Sequence, residues 1–228
     1  DPELVIERMR AGRVHPIEPA PDYDEEAVRR SLRIVSVMGV EPFQAALEQG
    51  ADVVLGGRAT DTAIFAAIPM SRGFDAGLAW HAGKIAECGT ASAEPRRRLD
   101  VLHITMERGS FVVQPLRDDI RCTPFSVAAH QLHEVGDPFT LVEPGWITDL
   151  SGARYDAETD RSVRVSGATA TEATYTVKLE GVEPAGWQKM FMFGVNDPTI
   201  LADLDAWMAN IDGDIQQRPR EVGYYYDL

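Results

Sequence analysis

The chain has 228 residues with 36 acidic and 22 basic side chains, which gives a formal net charge of −14. This excess of acid argues against binding to nucleic acid, because phosphate recognition needs clustered cations, and equally against a polybasic membrane-surface protein. No run approaches the roughly 18 apolar residues of a membrane span, and no signal-peptide core is visible. The two cysteines, Cys88 and Cys122, are far apart, as is typical of reduced thiols. We expect an acidic, cytoplasmic, globular protein.

The first part of the chain alternates predicted helices and strands. The continuous apolar run 51–57 predicts a strand that is buried on both faces. Together with the helix and the strand before it, this run has the spacing of a parallel βαβ unit, which indicates a Rossmann-like sheet. The predicted helices cover 25–33, 42–49, 60–67 and 78–88. The predicted strands cover 34–38 and 51–57.

The second part changes character after a segment rich in Ala, Ser, Glu, Pro and Arg at 89–98. We therefore predict two domains, a Rossmann-like α/β part at 1–93 and an α+β part with antiparallel strands at 94–228. The alternating runs on either side of Gly109 predict a hairpin. The later predicted elements are hairpin strands at 101–106 and 111–116, a helix at 124–135, strands at 162–165, 175–179 and 188–195, and a helix from Pro198.

The first candidate site follows the predicted buried strand. The carboxyl ends of parallel strands open onto a ligand crevice, where the amides of Gly56 and Gly57 would approach a ligand closely. Arg58 would add a fork for a carboxylate or a phosphate, and Asp61 would hold that arginine or act as a base. The alternative is a tight turn with a surface Arg58–Asp61 pair. The dinucleotide fingerprint G-x-G-x-x-G is absent from the sequence.

The second candidate site lies on the predicted helix 78–88. At roughly 100° per residue, Lys84 lies about 60° and Cys88 about 20° from His81 around the helix, with Glu87 on a neighbouring face. This group offers acid/base chemistry, and Cys88 would be a nucleophile beside a cation. The alternative is a buried structural thiol, a satisfied histidine and an exposed Lys84–Glu87 pair. A lone His and Cys seven residues apart match no zinc spacing, so we predict no metal site.

The third candidate site surrounds the helix that Thr123 caps. The free amides of that helix end, with Arg121 just before it, would attract an anion. Ser126, His130 and His133 share another face of the same helix, so Ser126 and His130 join Arg121 and Thr123 as candidate binding residues. The alternative is that the two histidines are structural or merely exposed.

Several blocks of the sequence, in the same order, resemble the acyclic terpene utilisation protein A family. The resemblance spans nearly the whole chain, and the number of blocks makes it fairly specific. The blocks are MGVEPF (38–43), GADVV (50–54), GRATD (57–61), HAGKIAECG (81–89), RCTP (121–124), DP (137–138), VRVSG (163–167) and YTVKLEG (175–181).

The resemblance implies a bacterial protein associated with the breakdown of citronellol-type terpenoids and other branched or organic acids. It assigns no residue a catalytic role, because the reaction of the family is poorly defined. It also implies a Gly-rich strand and helix before residue 1, and a small ferredoxin-like domain or partner subunit after the strand-like run 222–228. We therefore expect this chain to be the middle of a longer protein, incomplete at both ends.

These observations predict a catabolic enzyme that acts on a small branched organic acid or its acyl-CoA thioester. Hydration, lyase or isomerisation chemistry suits the candidate residues, because none of these reactions needs a redox cofactor. We expect no cofactor, with CoA present only as part of the substrate, and a homo-oligomer. One alternative is a non-catalytic subunit or scaffold whose strand at 222–228 pairs with a small ferredoxin-like partner. Another alternative is a metal-dependent hydrolase.

Overall fold

The structure, a computed structural model, describes residues 1–17, 23–95, 100–133, 136–186, 190, 192 and 194–217. In these ranges it shows helices and antiparallel sheets, an α+β fold. The chain divides into two compact units, residues 1–184 and residues 185–228. The predicted domain boundary between residues 93 and 94 falls inside the first unit and stays a prediction.

The helices of the first unit are α1 (Pro2–Arg10), α2 (Glu25–Arg30), α3 (Glu41–Glu48), α4 (Ala63–Ser71), α5 (Ala76–Ala86) and α6 (Pro124–His130), with a short 3-10 helix at Gly89–Ser92. Four of these helices, α1, α2, α5 and α6, begin at a residue whose side chain caps them. Asp24 accepts a hydrogen bond from the N–H of Ala27, and Asp75 accepts one from the N–H of Leu78. No helix among the described residues is long and apolar enough to cross a membrane.

The strands of the first unit form three sheets, and every strand pairing in them is antiparallel. The strands are β1 (Arg33–Ser36), β2 (Leu102–Glu107), β3 (Ser110–Pro115), β4 (Thr140–Glu143), β5 (Trp146–Asp149), β6 (Arg154–Ala157), β7 (Val163–Ser166), β8 (Thr169–Glu172) and β9 (Leu179–Val182). The sheet orders are β2-β3-β7-β6, β4-β5-β8 and β1-β9.

The largest sheet contains the predicted hairpin, which is confirmed. Strands β2 and β3 pair from Glu107 opposite Ser110 outwards, and Gly109 in the turn has φ +82°, a conformation that favours glycine. Strand β3 continues the sheet by pairing with β7, where Phe111 lies opposite Val165. Both of these side chains are fully buried, so this sheet forms one wall of the main core.

The prediction of a parallel Rossmann-like sheet is wrong for the residues that the structure describes. Strand β1 pairs antiparallel with β9, and the run 51–57 forms no strand. A strand that is buried on both faces needs cover on each side, but Val53 is 84% exposed and Leu55 is 98% exposed. Of the expected parallel strand pairing, the described residues show one isolated bridge, between Met38 and Ala59.

The remaining predicted elements are met in part. The predicted strand 175–179 overlaps β9 only at its last residue, and the predicted strand 188–195 includes residues outside the described ones. The run 222–228 also lies outside the described residues. The second unit contains α7 (Pro198–Leu201) and α8 (Leu204–Gln217), which confirms the helix predicted from Pro198 as two segments.

Helix α5 is buried on several sides and separates two clusters of apolar side chains. Its Trp80 belongs to the smaller cluster with residues of α3 and α4, while its Leu78 belongs to the main core, which includes residues of the largest sheet. A helix that is apolar around most of its circumference is typical of a protein core. The main core consists of Leu78, Ala82, Ile85, Ala93, Phe111, Val113, Ile120, Cys122, Val127, Leu141, Leu150, Val163, Val165 and Ala168.

Two glycines let α5 approach its neighbours closely. A Cβ atom at Gly77 would lie 2.6 Å from the carbonyl carbon of Thr169 in β8. A Cβ atom at Gly83 would lie 2.8 Å from the carbonyl oxygen of Thr62, which precedes α4. The second approach brings the last turn of α5 against the start of α4.

Candidate functional site

A buried ion pair lies at the end of α5. The ammonium group of Lys84 contacts the Oε1 atom of Glu87, one helical turn later, and the two side chains are 8% and 7% exposed. The pair is therefore buried, which differs from the exposed pair of the alternative interpretation. Removing one member of a buried pair leaves an uncompensated charge and costs about 3–5 kcal/mol. The ammonium group of Lys84 and the carboxylate of Glu87 therefore stabilise each other in the protein interior.

A second carboxyl group, that of Glu143 at the end of β4, lies near this pair. The Thr62 hydroxyl donates a hydrogen bond of 2.6 Å to its Oε1 atom, and Thr60 also bonds to the carboxyl group. Burial, the largest effect, raises the pKa of Glu143, and the negative charge of Glu87 also raises it. The two threonine hydrogen bonds and the positive charge of Lys84 lower this pKa, but the net shift is upward. Its Oε2 atom is buried and has no hydrogen-bond partner among the described residues.

The chain brings these groups together from three distant segments. Thr62 is the N-cap residue of α4, and the close approach at Gly83 sets it beside the end of α5. Glu143 comes from the hairpin of β4 and β5, whose turn contains Gly145 with φ +77°. Sequence reasoning missed Glu143, although the turn dipeptide Pro144-Gly145 just after it was a usable signal for a hairpin.

An apolar groove of about 640 Å³ opens beside the ion pair. Helices α4 and α5 and strand β2 supply most of its walls, and Glu87 and Cys88 lie in its lining. Deep apolar clefts with a few polar groups are the usual form of small-molecule sites. The lining residues are Phe65, Pro69, Ala82, Ala86, Glu87, Cys88, Gly89, Asp100, Val101, Leu102, Ile104 and Met106.

This arrangement is suited to proton transfer. Glu87 belongs both to the ion pair with Lys84 and to the groove lining, so a compound in the groove would lie beside the residue whose carboxylate pairs with a buried ammonium group. A carboxylate that is held in a fixed position can act as a general base, and its protonated form can act as a general acid. The thiol of Cys88 lies in the same lining.

His81 contacts the aromatic side chains of Tyr155 and Phe111. Its Nε2 atom is 3.2 Å from the hydroxyl oxygen of Tyr155, and its ring packs edge-on against Phe111. Complete burial lowers the pKa of His81 to about 3, so the ring is neutral at physiological pH. Because α5 ends at Ala86, Cys88 lies beyond the helix on which it was expected to share a face with His81.

The residues of the first candidate site have partners within the chain. Arg58 forms two hydrogen bonds with Glu180, at 3.0 and 3.3 Å, and those bonds, followed by Lys178, lower the pKa of Glu180 to about 2. A Cβ atom at Gly56 would lie 2.7 Å from the ring of Phe43, which accounts for a glycine there. The arginine fork expected to bind a ligand anion thus holds a carboxylate of the same chain.

Two other residues of that site lie at the surface. Asp61 is exposed, and the charge of this group acts on Arg58. Gly57 is also exposed, and a Cβ atom there would meet nothing within 4 Å. Their predicted roles in catalysis and binding stay predictions.

The residues of the third candidate site also have local partners. The N–H of Ser126 donates to the hydroxyl of Thr123 at 3.1 Å, and the N–H of Thr123 donates to the hydroxyl of Ser126 at 2.9 Å, which forms a capping box. Arg121 pairs with Glu94 at 3.2 Å. The buried ring of His130 stacks on that of His133, with centroids 5.7 Å apart. Their predicted binding roles stay predictions.

The described residues contain no group of three or more His, Cys, Asp or Glu side chains that could hold a metal ion. The fold and the site define an α+β protein with a buried lysine–glutamate pair next to an apolar groove. The family model described as "Acyclic terpene utilisation family protein AtuA" matches residues 6–224, so the chain belongs to this family, as the resemblance implied. Comparisons with curated proteins and with solved structures gave no match.

Proposed function

We propose that the protein is a catabolic enzyme that acts on a small branched organic acid or its acyl-CoA thioester by non-redox acid/base chemistry. Membership of a family described by acyclic terpene utilisation supports a substrate with a branched aliphatic chain. One observation carries the proposal. Glu87 forms a buried ion pair with Lys84 and also lines the apolar groove.

The groove supports a substrate with an aliphatic chain. Side chains such as Ile104 and Met106 form its walls, and each CH₂ group that leaves water for such surroundings contributes about 0.8 kcal/mol. The polar end of the substrate would then lie near Glu87 and Cys88. Anion binding by Arg58 would require a substrate carboxylate or phosphate to displace Glu180.

The proposed chemistry starts with proton removal by Glu87. The carboxylate takes a proton from the carbon next to the substrate carbonyl, and the electrons of that C–H bond pass to the carbonyl oxygen as an enolate. Return of the proton to another carbon gives an isomerisation, and departure of a β-hydroxyl group with a proton gives loss of water. Neither outcome consumes an oxidant or a reductant.

The experiment measures exchange of substrate hydrogen with solvent deuterium, which reports proton removal whatever the final product. The intact protein is incubated in D₂O with straight and branched organic acids and their CoA thioesters, and mass spectrometry follows deuterium uptake. We expect uptake in a branched compound and a loss of 10²-fold or more in Glu87→Gln. Glu48→Gln, which changes an exposed glutamate of α3, is the matched control.

Two results would reject this function. One is the absence of deuterium uptake across the whole panel. The other is uptake by Glu87→Gln at the rate of the unchanged protein, because the carboxylate would then have no part in the reaction. The cytoplasmic location, the homo-oligomer, the small ferredoxin-like partner and CoA as part of the substrate belong to the same proposal.

A further inference from the structure

We infer that the groove takes an uncharged acyl derivative, such as a thioester, and rejects the free carboxylate of the same acid, with Asp100 as a specificity-determining residue. The inference rests on the proposed function, because the groove is the substrate site there. It narrows the two substrate classes named for that site to one. A site that binds an aliphatic chain selects its ligands through its few polar groups, and those of this lining are Glu87, Cys88 and Asp100.

The polar residues of the lining lie on two adjoining segments. Glu87 and Cys88 follow directly after α5, and Asp100 is tied to the short 3-10 helix that comes next. The N–H of Thr90 donates to the carbonyl oxygen of Asp100 at 2.8 Å, and the N–H of Asp100 donates to the hydroxyl of Thr90 at 2.7 Å. A Cβ atom at Gly89 would lie 2.2 Å from the same carbonyl oxygen. The groove therefore has one polar end, and it contains both acidic residues of the lining.

This end offers few groups that could bind a ligand carboxylate. Among the described residues that line the groove, none carries a cation, and the thiol of Cys88 is the one side-chain donor besides the carboxyl groups. The backbone N–H groups of Glu87, Asp100 and Val101 already donate to other atoms of the protein. A carboxylate that leaves water for such surroundings loses its hydration without compensation, whereas an uncharged carbonyl group loses much less.

The charge at this end also opposes an anion. Helix α5 ends at Ala86, so the partial negative charge of its C-terminal end lies beside Glu87 and Cys88. A ligand carboxylate would add its charge to that helix end and to the carboxyl group of Asp100. A thioester or an amide adds no charge, and an amide also supplies N–H groups to oxygens that can only accept.

Two cations in this part of the chain already have carboxylate partners. Lys84 pairs with Glu87 in the interior and is not a lining residue. Arg117, on which the charge of Asp100 acts, forms hydrogen bonds of 2.8 and 2.7 Å with Asp119. A ligand carboxylate would have to compete with these partners, whereas an uncharged acyl group needs neither cation.

The test compares two ligands with the same aliphatic chain and nearly the same shape, 4-methylpentanoate and 4-methylpentanamide. The intact protein, with ¹³C-labelled methionine methyl groups, is titrated with each ligand at pH 7. The signal of Met106, assigned by its loss in Met106→Leu, reports occupation of the groove. We expect the Kd of the amide to be lower than that of the carboxylate by about tenfold or more, because like charges in contact disfavour the wrong ligand.

Two variants test the part that Asp100 plays. Asp100→Asn removes a negative charge and keeps an oxygen for the N–H of Val101, so it should reduce the preference for the amide. Asp52→Asn, at an exposed position outside the groove, is the matched control and should leave the preference unchanged.

Three results would overturn the inference. They are equal binding of the two ligands, a Met106 signal that neither ligand moves, and the same preference in Asp100→Asn as in the unchanged protein. The titration needs no turnover, so it separates this inference from the proposed reaction. A preference for the amide without deuterium uptake in any compound would support the specificity while rejecting the reaction. Deuterium uptake by free acids as fast as by their thioesters would keep the reaction and overturn the specificity.

Discussion

Acidification should destabilise the protein through His81, because this side chain is neutral in the folded state. Burial lowers its pKa from 6.5 to about 3, whereas the unfolded chain takes up a proton near pH 6.5. Between these values the unfolded state binds more protons than the folded state, so the free energy of unfolding falls as the pH falls. Each pH unit costs about 1.4 kcal/mol, and the loss from pH 6.5 to pH 4 is roughly 3 kcal/mol.

Urea unfolding at a series of pH values measures this effect. Protonation of carboxylates also changes stability in acid, so the informative quantity is the difference between the unchanged protein and His81→Gln. The variant should lose stability at pH 7 through poorer packing against Phe111 and Tyr155, and it should show a shallower decline between pH 6.5 and pH 4. His103→Gln, at an exposed position of β2, is the control and should keep the full slope.

Parallel pH curves for His81→Gln and the unchanged protein would refute this reasoning. So would a His81 ring signal that titrates near pH 6.5 in the folded protein, because a ring protonated at that pH gives no difference between the two states.

The remaining predictions concern packing and thiol access. Gly83→Ala should lower the free energy of unfolding by about 1–3 kcal/mol, because the new Cβ atom would lie 2.8 Å from the Thr62 carbonyl oxygen. Gly213→Ala, in α8 with nothing within 4 Å, should instead increase helix stability by up to about 1 kcal/mol, as thermal unfolding would show. Iodoacetamide should alkylate Cys88 first in the folded protein, since burial raises the pKa of Cys122 to about 12. Mass spectrometry showing equal labelling of both cysteines would contradict that order.

The parts of the fold that sequence analysis predicted are those that local interactions decide. The hairpin around Gly109 and the helix after Thr123 depend on turn and capping chemistry within a few residues. The pairing of β1 depends on a segment far along the chain, since Ile34 lies opposite Gly181. An apolar run shows that a strand is favourable but does not show which segment pairs with it, and for this reason the prediction of a parallel sheet was wrong.

The residues of the candidate site also divide into those that local sequence predicts and those that only the tertiary fold brings together. Helix geometry placed Lys84 and Glu87 close together, because residues three apart are neighbours on a helix surface. Their burial depends on the sheets and helices around α5, which no local pattern reveals. Glu143 lies in a four-residue strand more than 50 positions from Glu87, and only the folded chain brings the two carboxyl groups together.

The enclosure of α5 has a consequence for the synthesis of the protein. The helix ends at residue 86, but the strands that cover it extend to Glu172 in β8. At translation rates of about 5–20 residues per second, roughly 4–17 s pass between the two events. During that time Leu78, Ala82 and Ile85 of α5, which pack in the main core with the later strands, have no cover. We therefore expect this apolar face of α5 to be a binding site for chaperones while the chain is being synthesised.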